Sequence, residues 1–199
     1  MAEVGCLKDK CLQNLQVEGN TVINGNIKGL IPIRTVKAIT DASGTSHPLT
    51  PEDAGLVNVS AVLAAGSVIK LPAATPANVG LYYKIIFTAA MAGAAKIQLP
   101  QGGTATFEGV VVQERCGTGA GVAEHATNVR ATTLVPDPGA EQCIELDEND
   151  VTFGGGVGTH LEFYYVSTTQ VFVTGRLLTN VATSALDGLT ASTFTATGY

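Results

Sequence analysis

The sequence has no tryptophan and only a small share of charged residues. Of its 199 residues, 14% are Asp, Glu, Lys or Arg, well below the quarter or so that is usual for globular chains. Much of the surface must therefore consist of neutral residues such as Thr, Ser, Ala, Gly and Asn. A surface of this kind suits a protein that buries much of itself against copies or neighbours, so we expect an oligomer.

Clusters of positive charge are also missing. The formal net charge is −6, and the Lys and Arg residues are scattered singly. Binding to nucleic acid or to an anionic membrane needs clustered cations. No apolar run approaches the ~20 residues of a spanning helix, and the start, MAEVGCLKDKC, lacks the features of a secretory signal. We therefore predict a soluble protein made in the cytosol, with no nucleic acid and no membrane among its partners.

The residue types that bind metals do not have metal-site spacing. The two closest cysteines form a Cys-x4-Cys pair without a second pair, and no histidines are spaced as His-x-His or His-x3-His. The acidic segment ELDEND, residues 145–150, offers oxygen ligands but fails the EF-hand pattern. We predict no metal and no cofactor. The residues concerned are Cys6, Cys11, Cys116, Cys143, His47, His125 and His160.

No catalytic arrangement is recognisable either. A Gly-x-Ser-x-Gly elbow is absent, and the segment RCGTGAGVAEH lacks the lysine and the following helix of a phosphate-binding loop. Glu108, Glu114 and Glu162 lie on predicted strands, but nothing indicates that two of them face one cleft, as glycoside cleavage requires. We predict no catalytic residues, and a polysaccharide hydrolase is the least favoured hypothesis.

Alternation of apolar and polar residues predicts an all-β fold. In GLYYKIIFTAA, Tyr83, Ile85 and Phe87 share one apolar face that belongs in a core. Strand–turn–strand patterns over residues 96–114 and 158–179 predict two hairpins. Eight or so short strands, with turns about every ten residues, predict an antiparallel β-sandwich or barrel. A jelly roll and other sandwich topologies remain open.

Shorter features complete the pattern. In PLTPEDAG, Thr50 is placed to cap one helical turn, with Pro51 at its first position. Without tryptophan, a sugar-binding platform would depend on tyrosine rings, and two of the four candidates are expected to fill the core. The candidates are Tyr82, Tyr83, Tyr164 and Tyr165.

The N-terminal segment LQVEGNTVINGNIKG, residues 15–29, alternates without interruption. Its side chains are too small to form a core alone, and the body has its own strands. We predict that this segment packs against its own copies or against a neighbouring protein of the assembly, and that in an oligomer Leu15, Val17, Ile23 and Ile27 face inward. The predicted domains are an arm over residues 1–30, a β-sandwich over 31–180, and a flexible or neighbour-contacting tail over 181–199.

Three motifs resemble β-sandwich virion proteins of tailed phages and large double-stranded DNA viruses. They are a strand ending in Leu71-Pro72, a glycine before an aromatic-rich strand at residues 80–87, and a last hairpin with an aromatic residue before glycine, Phe172 to Gly175. Phe172 stands where tryptophan is frequent in that class. The N-terminal segment is similar to strands that precede such domains in trimeric fibres. The resemblance covers roughly residues 13–178.

The resemblance implies a structural role, a jelly-roll-like sandwich and a homotrimer. The first hypothesis is therefore a decoration, cement or head-fibre component on the capsid surface of a virion, assembled in the host cell beside other capsid proteins. The alternative is a fibre-tip module that binds a host glycan or receptor through the loops at residues 115–130 and 151–160. The resemblance implies no catalytic residue.

Overall fold

The fold is all-β, as predicted. The computed structural model describes residues 36–43, 46–91, 95–115, 131–137, 139–146, 154–179 and 194–195. Within them the chain forms strands and one 3₁₀ turn, Pro51–Asp53. The strands are β1 Lys37–Ile39, β2 Ser46–Pro48, β3 Gly55–Val59, β4 Val68–Lys70, β5 Tyr82–Phe87, β6 Ala95–Gln98, β7 Thr106–Arg115, β8 Ala131–Leu134, β9 Cys143–Leu146, β10 His160–Tyr165, β11 Gln170–Thr179 and β12 Phe194–Thr195.

The described strands form two sheets. The larger has seven strands in the order β1-β3-β5-β10-β11-β7-β8, and the smaller has five in the order β12-β9-β6-β4-β2. Buried side chains from both sheets belong to one apolar cluster. The architecture is therefore sandwich-like, with the core between the sheets.

The prediction that the sandwich is antiparallel is wrong for half of the described pairings. From β1 to β6, consecutive strands alternate between the two sheets. The chain therefore enters each sheet again in the same direction, and β1–β3, β3–β5, β2–β4 and β4–β6 are parallel. This part of the chain makes three turns of a flattened coil. The β7–β11 pair is also parallel, and the other five described pairings are antiparallel.

One of the two predicted hairpins is confirmed. Strands β10 and β11 pair antiparallel, and the STTQ turn closes with hydrogen bonds from the Val166 and Ser167 N–H groups to the Gln170 carbonyl. The hairpin predicted over residues 96–114 is wrong, because β6 lies in the five-stranded sheet and β7 in the seven-stranded one. The Gly-Gly segment between them crosses from one sheet to the other.

Alternation places the large side chains in the core as predicted. Strand β5 alternates strictly between half-buried and buried positions, so Tyr83, Ile85 and Phe87 all point inward. Tyr165 is buried as well, and its ring centroid lies 6.0 Å from that of Tyr83. Two of the four candidate tyrosines therefore fill the core, and Tyr82 and Tyr164 do not.

Two core tyrosine hydroxyls reach across to the other sheet. The Tyr83 hydroxyl donates to the carbonyl of Thr50 at 2.7 Å, and the Tyr165 hydroxyl donates to the carbonyl of Pro72 at 2.8 Å. Thr50 and Pro72 each lie two residues beyond a strand of the five-stranded sheet, β2 and β4. These bonds satisfy buried polar groups and link the two sheets.

The predicted helical turn is confirmed as a 3₁₀ turn. The Thr50 N–H donates to Asp53 Oδ2 at 2.9 Å, and the Thr50 hydroxyl donates to the same oxygen at 3.1 Å. Lys37 Nζ in β1 lies 3.2 Å from Asp53 Oδ1. Although burial alone would raise the pKa of Asp53, the hydrogen bonds from Thr50 and the charge of Lys37 hold it below its ordinary value.

Two glycines allow close backbone contact in the seven-stranded sheet. Gly109 in β7 and Gly175 in β11 have φ of 122° and 144°, a region that residues with a Cβ rarely adopt. A Cβ at Gly109 would overlap the carbonyl oxygen of Val173, and one at Gly175 would overlap that of His160. Both strands therefore need glycine at these positions.

The predicted N-terminal arm, residues 1–30, lies outside the described residues. Within the predicted C-terminal tail, the structure describes the two residues of β12. This strand pairs with β9, and Phe194 is buried in the core, with its ring centroid 6.4 Å from that of Phe107.

Candidate binding surface

Three aromatic side chains line up on the outer face of the seven-stranded sheet. Tyr82 in β5, Tyr164 in β10 and Phe172 in β11 are direct register partners on adjacent strands. Their ring centroids are 4.9 Å apart between the tyrosines and 6.4 Å apart between Tyr164 and Phe172. Tyr164 is 39% exposed and Phe172 is 41% exposed. We call these three residues the aromatic row.

The three rings of the row point outward because successive side chains of a strand point to opposite faces of the sheet. Its neighbours in sequence, Tyr83, Tyr165 and Val173, point into the core, so the intervening residues must point outward. An outward residue on a sheet face is usually polar. Three outward aromatic rings in register are therefore an unusual feature of this face.

A carboxylate beside the row is held at both of its oxygens. Glu162 Oε2 accepts a hydrogen bond from the Tyr164 hydroxyl at 2.6 Å, and Glu162 Oε1 lies 2.9 Å from Lys84 Nζ. The Tyr164 hydrogen bond and then the Lys84 contact lower the pKa of Glu162. The same hydrogen bond raises the pKa of Tyr164 to about 12. Near neutral pH, the Glu162 carboxyl is therefore ionised and the Tyr164 hydroxyl is neutral.

Polar residues also border the other end of the row. Glu108 in β7 is the register partner of Phe172. Its Oε1 accepts a hydrogen bond from the Gln170 side-chain amide at 3.0 Å. We call Lys84, Glu162, Glu108 and Gln170 the polar frame. The aromatic row thus lies between groups that are already oriented by contacts within the face.

The three glutamates considered for catalysis do share one face. Glu108, Glu114 and Glu162 lie on the outer side of β7 and β10, and Glu114 Oε1 is 3.2 Å from Arg176 NH2. A glycoside hydrolase needs a carboxylic acid with a raised pKa. The pKa of Glu162 is lowered instead, so its environment does not suit a general acid.

The structure separates the described histidines. His160 is in β10 of the seven-stranded sheet, and His47 is in β2 of the five-stranded sheet. His47 lines a groove of about 290 Å³ between β1 and β2, together with Asp41. Within the described residues, no group of three His, Cys, Asp or Glu side chains could hold a metal ion.

Several residues singled out in the sequence lie outside the described residues. They include the predicted oligomerisation residues Leu15, Val17, Ile23 and Ile27. Residues 116–130 and 151–153 of the two predicted recognition loops and residues 147–150 of the acidic segment lie outside as well, whereas residues 154–160 of the second loop are described. Glu145, the first residue of that segment, forms an ion pair with Lys96 Nζ at 2.9 Å. Cys143 in β9 is a buried thiol.

The sequence contained part of the signal for the aromatic row. The sequence indicates Tyr82 and Tyr164 as sugar-platform candidates, but it indicates Phe172 only through its place in the last hairpin. Alternation shows that each points outward. The predicted β10–β11 hairpin brings Tyr164 and Phe172 together, but the pairing of β5 with β10, which adds Tyr82, cannot be read from one sequence.

Comparison of the chain with protein-family models, with curated proteins and with solved structures gave no match. Among the described residues, no helix has the length and apolar character needed to cross a membrane.

Proposed function

We propose that the chain is a structural protein of a virus particle. It would serve as a decoration, cement or head-fibre component, assemble as a homotrimer, and contact other capsid proteins on the capsid surface. The extended N-terminal arm and the absence of catalytic activity are parts of the same proposal, whereas a jelly roll, which is antiparallel, does not fit the parallel pairs among β1 to β6. The resemblance of the Leu71-Pro72 strand, the aromatic strand and the last hairpin to virion proteins supports it.

One observation supports self-assembly through the N-terminal segment, and the number of three copies comes from the resemblance. The described body already fills the space between its sheets, because buried side chains from Ile39 to Phe194 form one apolar cluster. The sequence before it contains a regularly alternating segment whose apolar positions are Leu15, Val17, Ile23 and Ile27. Copies of this segment would supply apolar surface to one another, as in permanent oligomers.

Sedimentation equilibrium of the full-length chain tests the trimer. We expect a mass three times that of the 20.4 kDa chain. The double variant Val17→Asp, Ile23→Asp should sediment as a monomer, because each buried, unpaired carboxylate costs several kcal/mol. The matched control Gln16→Asp, Asn24→Asp places the same charges on the alternate face and should stay trimeric.

A wild-type chain that is monomeric at micromolar concentration would contradict the trimer. So would a control variant that dissociates as readily as the double variant. The location is tested separately, by mass spectrometry and antibody labelling of purified particles from the source. Peptides of this chain should be present, and the label should lie on the capsid surface. Particles without the chain would remove the virion assignment.

The aromatic row favours a second candidate function, the binding of a host glycan or receptor. Rows of exposed aromatic rings are rare on the outer faces of monomeric proteins and mark binding surfaces. Of the two loops predicted for this role, residues 116–130 and 151–153 lie outside the described residues, and the described part of the second loop, residues 154–160, is mostly buried or half-buried. The support therefore comes from the sheet face, where Tyr82, Tyr164 and Phe172 are held in register.

A further inference from the structure

We infer that the aromatic row is a binding site for a neutral, hexose-based glycan. This inference rests on the second candidate function, for which it names the site and the ligand class. It does not depend on the trimer. The ligand would lie across β5, β10 and β11, with its sugar rings against Tyr82, Tyr164 and Phe172.

The geometry of the row suits a chain of sugar rings. Its three rings project from three adjacent strands, with centroids 4.9 Å and 6.4 Å apart and ring planes tilted by 38° and 54° to one another. They therefore form a line across the strands rather than a single pocket. Aromatic faces attract polarised C–H groups, and a pyranose ring presents such groups on one of its faces. Successive sugar units of one chain can contact successive rings.

The polar frame suits the edges of the same ligand. A sugar ring that stacks through one face directs its hydroxyls outward around its rim. Carboxylate and amide oxygens accept hydrogen bonds from hydroxyls, and amide and ammonium groups donate to them. Glu162 and Lys84 flank the middle of the row, and Glu108 and Gln170 flank its end. These side chains are already held by one another, so little conformational entropy would be lost on binding.

Charge decides which kind of glycan fits. Among the described side chains of the face, each cation is paired with a carboxylate, Lys84 with Glu162 and Arg176 with Glu114. Glu108 adds a negative charge beside Phe172, and the whole chain carries a net charge of −6. An acidic glycan would be repelled. A neutral glycan complements a face that offers apolar rings and hydrogen bonds but no excess positive charge.

Affinity electrophoresis of the full-length chain tests the site. Native gels would contain one soluble polysaccharide each: galactomannan, mixed-linkage β-glucan or dextran as neutral probes, and polygalacturonate as the acidic probe. We expect at least one neutral probe to retard the chain. Polygalacturonate should leave its mobility unchanged.

Two variants locate the binding on the aromatic row. Tyr164→Thr and Phe172→Thr keep a strand-forming residue but remove an exposed ring. Each should weaken retardation at least about tenfold in apparent dissociation constant, the usual effect of truncating an aromatic anchor. The matched control is Val135→Thr, since Val135 is an exposed apolar residue that follows β8. This control should bind like the wild type.

A conservative variant separates the ring from its hydroxyl. Tyr164→Phe keeps the aromatic face and removes the hydrogen bond to Glu162. It should retain most of the retardation that Tyr164→Thr loses. An unchanged far-ultraviolet circular dichroism spectrum and cooperative unfolding in urea would confirm that the threonine variants are folded.

Several results would overturn the inference. The first is that no neutral probe retards the wild type, and the second is that only polygalacturonate does. Equal retardation of the wild type and both threonine variants would leave glycan binding in place but exclude this site. If the threonine variants instead change the mass in sedimentation equilibrium, the row is a contact between copies. A monomeric wild type that still binds through the row would refute the trimer alone.

Discussion

At the scale of single residues, backbone geometry restricts some positions more than side-chain packing does. Gly175 in β11 combines a φ of 144° with a backbone neighbour where a Cβ would stand. Gly102 has a φ of 78° but no atom within 4 Å of such a Cβ. An alanine at Gly102 would therefore meet backbone strain alone, whereas an alanine at Gly175 would meet backbone strain and a steric overlap.

Gly175→Ala should be much more destabilising than Gly102→Ala. Backbone strain alone costs about 1 kcal/mol at a favourable position, which is our expectation for Gly102→Ala. The overlap with the His160 carbonyl forces β10 and β11 apart, so we expect a loss of about 3 kcal/mol for Gly175→Ala. Urea denaturation of the two variants measures the difference. Equal losses would show that β10 and β11 can move apart at little cost.

Asp53 is a second residue whose effect can be predicted. Its carboxylate accepts two hydrogen bonds from Thr50 and contacts Lys37 Nζ. Asp53→Asn removes the charge from these contacts and should lower the free energy of unfolding by about 1 kcal/mol at pH 7. Glu52→Gln is the matched control on the same turn, and its effect should be smaller.

The contribution of Asp53 should also depend on pH. Its pKa is lower in the folded state than the ordinary value of 3.8. The folded state therefore binds the proton less readily, and the stabilisation is fully present above that ordinary value. It is lost as the pH falls through the lower folded pKa. The stability difference between the wild type and Asp53→Asn should be constant above about pH 5 and shrink below it. A difference that grows on acidification would contradict this assignment.

At the scale of strands, the tyrosine hydroxyls link elements that the sheets alone do not join. Tyr165 ends β10 of the seven-stranded sheet, and its hydroxyl bonds to the Pro72 carbonyl beyond β4 of the other sheet. Tyr164, its neighbour, bonds through its hydroxyl to Glu162 on the exposed face. Removing the Tyr165 hydroxyl therefore tests the hydrogen bond between the two sheets. Removing the Tyr164 hydroxyl tests the exposed hydrogen bond on the outer face.

Tyr165→Phe should destabilise the fold by about 1 kcal/mol, because the Pro72 carbonyl would lose its buried partner. Tyr164→Phe should cost clearly less, because water can replace an exposed hydrogen bond. Thermal denaturation of both variants gives the comparison. A larger loss for Tyr164→Phe would mean that the outer face contributes more to stability than the link between sheets.

The strands also show what one sequence can and cannot reveal. Alternation predicted correctly that Tyr83 points inward and that β10 and β11 form a hairpin. It failed for β6 and β7, because alternation specifies the face of each residue but not the partner of each strand. The Gly-Gly segment between them has the composition of a hairpin turn, yet it crosses between sheets.

At the scale of the whole molecule, the same limit applies to the candidate site. The aromatic row consists of residues from the β10–β11 hairpin and from β5, which lies far earlier in the sequence. Their types and outward direction follow from alternation, but their adjacency follows from the topology of the seven-stranded sheet. The predicted oligomerisation residues differ from the row, because they lie in one short segment and can be recognised as a group from the sequence alone. They are Leu15, Val17, Ile23 and Ile27.

The coil formed by β1 to β6 has a consequence for how the protein folds. Its parallel neighbours are separated by a strand of the other sheet, and Thr106 in β7 pairs with Gln170 in β11. Such distant pairings give a high contact order, which slows folding. During synthesis, β10 and β11 must leave the ribosome before β5 can pair with β10 and β7 can pair with β11. The seven-stranded sheet is complete only after these pairs have formed. The body should therefore fold late in synthesis, after its last hairpin has emerged.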